Sequence, residues 1–306
     1  MRIVYMGTPE IAATCLRRVY EDGHDIAAVY TKIDTPKNRG MKLTASPVKE
    51  FAVAHDLPVI QPVSFRDAAV VEELRALQPE LICVVAYGKI LPQSVLDIPK
   101  YGCINIHASL LPKLRGAGPI QWSILSGDQE TGVTAMYLSA GMDEGDMIDK
   151  TVVPIAEDDT TATLTEKLAQ AGAELLSKTI VSIGAGTAER VPQDPEQATY
   201  APMLQKNMAP IDWSKSPREI SCHVRGMIPW PVATMELGGK LCKVYSVKPL
   251  DQETEKPDGT PVAVTKQGLE MACGGGKVIL VQEIQAQGGK RMSSADYLRG
   301  HPITIE

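Results

Sequence analysis

Two polar side chains lie close together in an apolar strand pattern. In the segment CINIHA, Asn105 and His107 alternate with Ile104 and Ile106, so the polar pair projects from one face of a strand. A carboxamide N–H can stabilise an oxygen that gains negative charge, and a neutral imidazole can accept the proton of an attacking nucleophile. The pair therefore fits acyl transfer, but it also fits a buried Asn and His bonded only to backbone groups.

A second polar segment, AGMDEGD at 140–146, lies between two apolar runs. Its glycines allow the backbone to approach a ligand closely, and Asp143 is a carboxylate that could orient a histidine or stabilise its charged form. An ordinary acidic turn has the same composition. Spacing alone leaves both interpretations open.

The turn Gly7-Thr8-Pro9-Glu10 follows the first strand-like run, where a dinucleotide-binding fold carries its glycine fingerprint. The turn does not match GxGxxG, which counts against a nicotinamide-dependent dehydrogenase. The N–H groups of the following helix could hold an anion. A strand-to-helix turn needs glycine for structural reasons alone, so this turn does not by itself indicate a ligand.

These segments must be positioned by alternating strands and helices. Strand-like runs occur at RIVYMG, IAAVYT, LPVI, LICVVAYG, CINIHA, TGVTAMYLS and TVVPI, and helix-like stretches at 10–21, 46–55, 66–77 and 160–183. Such continuous apolar runs are typical of strands buried on both faces of a parallel sheet, whose ligands bind beyond the carboxyl ends of the strands. The pattern predicts a Rossmann-like, mostly parallel α/β domain over residues 1–189.

The remaining chain predicts a linker and a smaller domain. Prolines and few large apolar residues indicate a linker at 190–208, and Ser216-Pro217-Arg218-Glu219 has the order of a capped helix start. Strand-like runs separated by glycines and polar residues follow at 231–237, 240–248, 260–266, 269–274 and 277–287. Five short strands predict an OB-like β-barrel over residues 209–306.

The amino-acid composition excludes several classes of protein. The chain has 306 residues, 44% hydrophobic and 22% charged, which is ordinary for a folded protein and argues against disorder or a membrane bundle. No apolar run approaches the ~18 residues of a spanning helix, and the first residues suit a strand better than a signal peptide, so we expect a cytoplasmic protein. The six cysteines lack a CxxC pair and predict buried thiols, and the five histidines lack ligand spacing, so we expect no metal.

The charge of the carboxy-terminal part of the chain is compatible with a nucleic-acid partner but does not predict one. Residues 206–306 carry 13 Lys and Arg against 11 Asp and Glu, within a chain of net charge −6. This small excess of positive charge is much weaker than the basic surface typical of a nucleic-acid-binding domain. An RNA partner must therefore be argued from other features.

In their order, the motifs resemble those of the methionyl-tRNA formyltransferase family, one of the folate-dependent formyltransferases. They are GTPE at 7–10, SPVK at 46–49, AYGKILP at 86–92, the Asn105/His107 strand with SLLP at 109–112, RGAGPIQW at 115–122 and MDEGD at 142–146. The resemblance covers nearly the whole chain. It implies transfer of the formyl group of 10-formyltetrahydrofolate to the α-amino group of methionyl initiator tRNA, through a tetrahedral intermediate and without a metal.

The resemblance also implies roles for individual residues. Asn105 would hydrogen-bond the formyl oxygen, His107 would assist proton movement or stabilise charge, and Asp143 would position His107 or a water. The folate residues would be Lys89, Ile90, Leu91, Ser109, Leu110, Leu111 and Pro112. The basic loop 32–42 would enter the tRNA acceptor stem through Arg39 and Lys42, while Arg218, Arg225 and Lys240 would contact phosphates. Ile11, Leu114 and the weakly basic carboxy-terminal module depart from the family pattern.

Two further alternatives remain beside the dehydrogenase. A formyltransferase acting on a small amine, such as a nucleotide sugar or glycinamide ribonucleotide, would share the amino-terminal domain; the full-length resemblance and the terminal barrel argue against it. A noncatalytic RNA-binding protein would not need Asn105, His107 and Asp143. The expected partners are initiator methionyl-tRNA and the folate co-substrate, with no membrane, and the expected state is a monomer.

Overall fold

The computed structural model describes residues 1–37 and 42–305, which divide into two compact units. The first unit contains Met1–Pro119, Glu130–Pro154 and Thr165–Ala201. The second contains the chain from Pro202 onwards together with two short segments, Ile120–Gln129 and Ile155–Leu164. The second unit is therefore not a single continuous stretch of sequence.

Strands and helices alternate along the amino-terminal two thirds of the chain. In order they are β1 (Arg2–Gly7), α1 (Glu10–Glu21), β2 (Asp25–Tyr30), β3 (Thr35–Lys37), β4 (Lys42–Thr44), α2 (Pro47–Ala54), β5 (Val59–Ile60), α3 (Ala68–Ala76), β6 (Leu81–Val85), α4 (Gln93–Leu96), β7 (Cys103–His107), α5 (Pro119–Leu125), β8 (Glu130–Tyr137), β9 (Met147–Pro154) and α6 (Thr161–Gly184). The helices predicted at 10–21, 46–55, 66–77 and 160–183 are confirmed, with ends that differ by no more than two residues.

The first unit is built on a seven-stranded sheet of order β5-β2-β1-β6-β7-β8-β9. The strands from β5 to β7 run parallel, whereas β8 is antiparallel to β7 and β9 is antiparallel to β8. The inner strand β1 is almost wholly buried, because helices on both faces cover its continuous apolar run. The predicted mostly parallel α/β domain is confirmed, and the carboxyl end of β7 carries Asn105 and His107.

The second unit contains α7 (Pro217–Gly226), β10 (Ala233–Leu237), β11 (Lys240–Glu253), β12 (Pro261–Thr265), β13 (Gly268–Cys273), β14 (Lys277–Ala286), β15 (Met292–Ser293) and α8 (Ser294–Gly300). Its antiparallel sheet has the order β10-β11-β14-β13-β12, and β15 pairs with β14. Within residues 202–305, no ladder joins β10 to β12 and closes this path. A separate antiparallel domain is confirmed, but the predicted OB-like barrel is not, because β10 and β12 do not pair with each other.

All six cysteines are buried and free, as the sequence predicts. Burial raises the pKa of the Cys15 and Cys103 thiols to about 12 and that of Cys273 to about 11. A thiol with such a pKa carries almost no thiolate near neutral pH, and the thiolate is the nucleophile. These side chains therefore contribute to the apolar cores and are unsuited to covalent catalysis.

The amino terminus of α7 allows a test of the sequence-predicted cap. Ser216 Oγ accepts a hydrogen bond from the Glu219 amide (3.3 Å), and Glu219 Oε2 accepts one from the Ser216 amide (2.9 Å). We expect Ser216→Ala to lower the free energy of unfolding by about 1 kcal/mol, and Ser216→Thr to stay close to wild type. Urea unfolding followed by tryptophan fluorescence reports on the second unit, because Trp122, Trp213 and Trp230 all belong to it. Equal stability of the Ala and Thr variants would contradict the cap.

Candidate active site

Asn105 projects from β7 beside two neighbouring strands. Its Cα pairs with Val84 of β6 and with Met136 of β8, and the residue is half-buried. Within residues 1–37 and 42–305, nothing hydrogen-bonds the Asn105 carboxamide. A half-buried amide without a protein partner keeps its full capacity to bind a ligand oxygen. This observation disfavours the alternative in which Asn105 is satisfied by backbone groups.

His107 is held by a backbone carbonyl on one side and faces a carboxylate on the other. Its Nε2 lies 2.9 Å from the Leu114 carbonyl oxygen, which can only accept, so Nε2 carries the hydrogen. Its Nδ1 lies 3.6 Å from Asp143 Oδ2, and the contact is an ion pair only when the imidazole is protonated. Nδ1 is therefore the ring nitrogen that can gain or lose a proton without breaking the bond to Leu114.

Asp143 is fixed by a neighbouring loop. Its Oδ2 accepts a hydrogen bond from the Gly116 amide at 2.9 Å, and the same oxygen faces His107. Gly116 has φ +111°, and a Cβ there would lie 2.9 Å from the Ala201 carbonyl oxygen, so only glycine fits this close approach. The structure thus brings His107 and Asp143 together, as the sequence predicts, and supplies Gly116 as a donor that the sequence analysis did not single out.

The segment Ser109–Pro112 follows β7 and is held by its neighbours. Thr134 Oγ1 donates to the Ser109 carbonyl (2.7 Å) and accepts from the Leu111 amide (3.1 Å). Lys150 Nζ donates to the Leu111 carbonyl. Ser109 and Leu111 have buried side chains, whereas Leu110 and Pro112 are half-buried. Contacts to a ligand from Ser109 and Leu111 would therefore come mainly from the backbone.

The segment Lys89-Ile90-Leu91 presents one large apolar side chain to solvent. Ile90 is 88% exposed, while Leu91 is buried. Lys89 Nζ donates to the carbonyl oxygens of Pro62 (2.5 Å) and Val63 (2.6 Å). Desolvation, and to a smaller degree nearby Lys32, lowers the pKa of Lys89. Lys89 therefore ties this segment to the chain that follows β5.

Arg39 lies outside the described residues, and so does the side chain of Lys42. The chain that leads into this basic loop is anchored at Asp34. Lys49 Nζ donates to Asp34 Oδ2 (2.6 Å) and to Gln61 Oε1 (2.9 Å). Hydrogen bonds from Lys49 and then from Gln61 hold the pKa of Asp34 below its ordinary value. Lys49, within the SPVK motif, therefore has a structural partner.

The three basic residues expected to contact phosphates differ in their availability. Arg218 Nη2 donates to the Gly127 carbonyl (3.2 Å), and Arg225 Nη1 donates to the Asp159 carbonyl (2.7 Å). Each guanidinium therefore already donates one hydrogen bond within the second unit. Lys240 is exposed at the start of β11.

Comparison with known proteins identifies the family. The family model described as formyl transferase matches residues 1–180, and that of the formyl transferase carboxy-terminal domain matches residues 203–302. The methionyl-tRNA formyltransferase of Acetivibrio thermocellus is 48% identical over 304 residues, which cover 99% of this chain and 97% of that protein. The chain belongs to the methionyl-tRNA formyltransferase family.

Other relatives agree with this membership. The methionyl-tRNA formyltransferase of Bacillus subtilis is 46% identical over 299 residues, covering 98% of this chain and 94% of its own. A solved N-formyltransferase from Helicobacter canadensis, in complex with folinic acid and dTDP-3-aminofucose, has a TM-score of 0.70 at 20% identity. The match covers 92% of this chain and 98% of that one, and supports a formyltransferase fold.

The described residues offer neither a metal site nor a membrane-spanning helix. Over residues 1–37 and 42–305, no group of three or more His, Cys, Asp or Glu side chains could hold a metal ion. In the same part of the chain, no helix is both long enough and apolar enough to cross a membrane.

Proposed function

We propose that the protein transfers the formyl group of 10-formyltetrahydrofolate to the α-amino group of methionine on initiator tRNA. Membership of the methionyl-tRNA formyltransferase family supports the reaction and the acceptor. The structural observation that carries the proposal is the Asn105 carboxamide, which has no hydrogen-bond partner within residues 1–37 and 42–305 and shares a strand with His107. An amide donor beside an imidazole–carboxylate pair is the arrangement that acyl transfer to an amine needs.

In the proposed mechanism, the amine attacks the formyl carbon and the formyl oxygen gains negative charge. Asn105 donates a hydrogen bond to that oxygen, and its effect grows as the charge develops. When the tetrahedral intermediate collapses, the bond from the formyl carbon to N10 of the folate breaks, and the proton lost by the amine reaches that nitrogen. His107 assists this movement through Nδ1, and Asp143 stabilises the imidazolium that forms.

The proposed folate site combines fixed backbone groups with apolar surface. A pterin edge needs paired donors and acceptors. Thr134 and Lys150 hold the backbone of Ser109–Pro112 in place, and the backbone groups that they do not use can supply these donors and acceptors. Ile90, exposed on the Lys89–Leu91 segment, and Leu110 offer apolar contact. These features fit 10-formyltetrahydrofolate as a co-substrate, and the proposed reaction needs no metal.

We propose that catalysis and binding of the tRNA acceptor are carried out by different parts of the chain. Residues 1–189 form the formyltransferase domain, 190–208 the linker, and 209–306 an OB-like module that contacts tRNA phosphates. Charge contacts of this kind give affinity without sequence readout. We further propose that the protein acts as a monomer in the cytoplasm; size-exclusion chromatography with light scattering tests the monomer.

The proposed tRNA role of the basic loop, which Arg39 and Lys42 share, gives a prediction. We expect Arg39→Ala to raise the KM for methionyl initiator tRNA roughly tenfold, because a charge-assisted hydrogen bond is lost, and to leave the KM for the folate unchanged. Steady-state kinetics with each substrate varied in turn measures both. Arg66→Ala, at an exposed position before α3, is the control. An equal rise in both KM values would refute a tRNA-specific role.

The function itself is tested by following a labelled formyl group. The protein is incubated with labelled 10-formyltetrahydrofolate and one of three acceptors: methionyl initiator tRNA, methionyl elongator tRNA or glycinamide ribonucleotide. Formylation confined to the initiator tRNA supports the proposal. Transfer only to the small amine would keep the chemistry and discard the acceptor, and transfer to none would favour a noncatalytic RNA-binding protein.

A further inference from the structure

Residues 190–201, hereafter the strap, lie against the loop that carries Asp143. The Arg190 guanidinium stacks over the Tyr137 ring, 3.6 Å from its centroid. Val191 and Met147 exchange both backbone hydrogen bonds, at 2.8 and 2.9 Å. The strap therefore begins as an added partner of β9, although its composition predicts only a linker.

The other end of the strap follows the loop 114–118. The Arg115 amide donates to the Thr199 carbonyl at 2.8 Å, and the Ala201 amide donates to the Arg115 carbonyl at 2.7 Å. The Gly118 amide donates to the Ala201 carbonyl at 3.0 Å. This loop carries the groups that hold His107 and Asp143. The strap thus contacts both loops of the candidate active site.

Gln193 joins the two loops through its side chain. Its Nε2 donates to the carbonyl oxygens of Asp143 (2.7 Å) and Gly145 (2.9 Å). Its Oε1 accepts from Nε (3.0 Å) and Nη2 (2.9 Å) of Arg115, whose side chain is almost wholly buried. A carboxamide has two N–H donors and two acceptor lone pairs, and all four are used here.

The sheet alone does not place Asp143 beside His107. Strand β8 is antiparallel to β7, so Tyr137 pairs with Ile104 and Thr134 pairs with His107. The loop after Tyr137 therefore starts beside the amino end of β7, whereas His107 lies at the carboxyl end. The backbone of Asp143 needs other partners to stay near the imidazole, and the Gln193 amide is one of them.

We propose that Gln193 is a positioning residue for the transfer reaction. It fixes the loop of Asp143 against Arg115, and Arg115 is flanked by the two residues whose backbone groups hold the catalytic pair. These are Leu114, which accepts from His107, and Gly116, which donates to Asp143. The inference rests on the proposed function, in which Asp143 acts through His107.

The first test separates positioning from folding. We expect Gln193→Ala to lower kcat by about 10- to 100-fold, because a displacement of about 1 Å at a catalytic group has an effect of this size. The KM for the folate should change by no more than about twofold, because the substituted group does not bind substrate. Gln197→Ala is the matched control, since Gln197 is exposed and its side chain donates to Asp194 within its own turn. Equal kcat values for the two variants would overturn the proposal.

A second test asks whether Gln193 acts through Asp143. In an Asp143→Asn background, Gln193→Ala should have little further effect on kcat, because the group that it positions is already impaired. If the two effects multiplied instead, Gln193 would act independently of Asp143, and the proposal would be wrong.

A third test does not depend on activity. The Gly116 amide donates to Asp143 Oδ2, so its hydrogen exchange reports whether that carboxylate is in place. Gln193→Ala should speed exchange at Gly116 about tenfold, and Gln197→Ala should not. Unchanged exchange would overturn the positioning role whatever the activity. Faster exchange in a protein that transfers no formyl group would instead remove the proposed function and retain the structural link.

Discussion

We expect Asn105→Ala to lower kcat for formyl transfer by about 10²- to 10³-fold, the usual effect of removing one oxyanion donor. The carboxamide has no hydrogen-bond partner within the described residues, so its loss leaves no protein group unpaired. We therefore expect the melting temperature to stay close to wild type. Single-turnover transfer to methionyl initiator tRNA and thermal unfolding measure the two effects on the same preparation.

Two companion variants make the Asn105 result specific. Asn105→Asp keeps the size of the side chain but replaces its N–H donors with an oxygen, and we expect a loss at least as large as for alanine. Asn207→Ala, at an exposed position, should leave kcat unchanged. If Asn105→Ala kept near wild-type turnover, the assignment of Asn105 as the oxyanion donor would have to be dropped.

The order of strands and helices was predictable because it depends on local patterns. Continuous apolar runs reflect strands that are buried on both faces, and caps such as Ser216 mark helix starts within four residues. Barrel closure was not predictable in the same way, since it depends on pairing between β10 and β12, which are distant in sequence. The strand runs were predicted correctly, but in the sheet they form β10 and β12 do not pair with each other.

In the candidate active site too, features that depend on neighbouring residues were predictable, whereas contacts between residues distant in sequence were not. Strand periodicity predicts that Asn105 and His107 project from the same face of β7. The structure places Asp143 beside His107. Gln193 had no local signal: its partners are 48, 50 and 78 residues away, and its surroundings have the composition of a linker. A side chain whose role depends on such distant contacts is identified only once the strap is seen against both loops.

We expect His107→Ala to lower kcat by about 10²- to 10⁴-fold, the range for removing a group that transfers protons in the reaction. Because Nε2 is held by the Leu114 carbonyl, the proton that matters is on Nδ1, facing Asp143. Single-turnover formyl transfer to methionyl initiator tRNA by wild type and by His107→Ala measures this loss. His55→Ala is the control, since His55 Nδ1 bonds the Phe51 carbonyl (2.8 Å) and His55 forms no ion pair with a carboxylate of the described residues.

His107→Gln separates the two contacts of the imidazole. Glutamine can still donate to the Leu114 carbonyl, so the fold of the loop should be kept, but it has no proton that titrates between pH 5 and 8. If His107 acts through proton movement, His107→Gln should be as inactive as His107→Ala while being more stable to heat. Recovery of wild-type turnover in His107→Gln would show that His107 only supports the Leu114 turn, and the charge at the forming oxyanion would then be stabilised by Asn105 without a titrating partner.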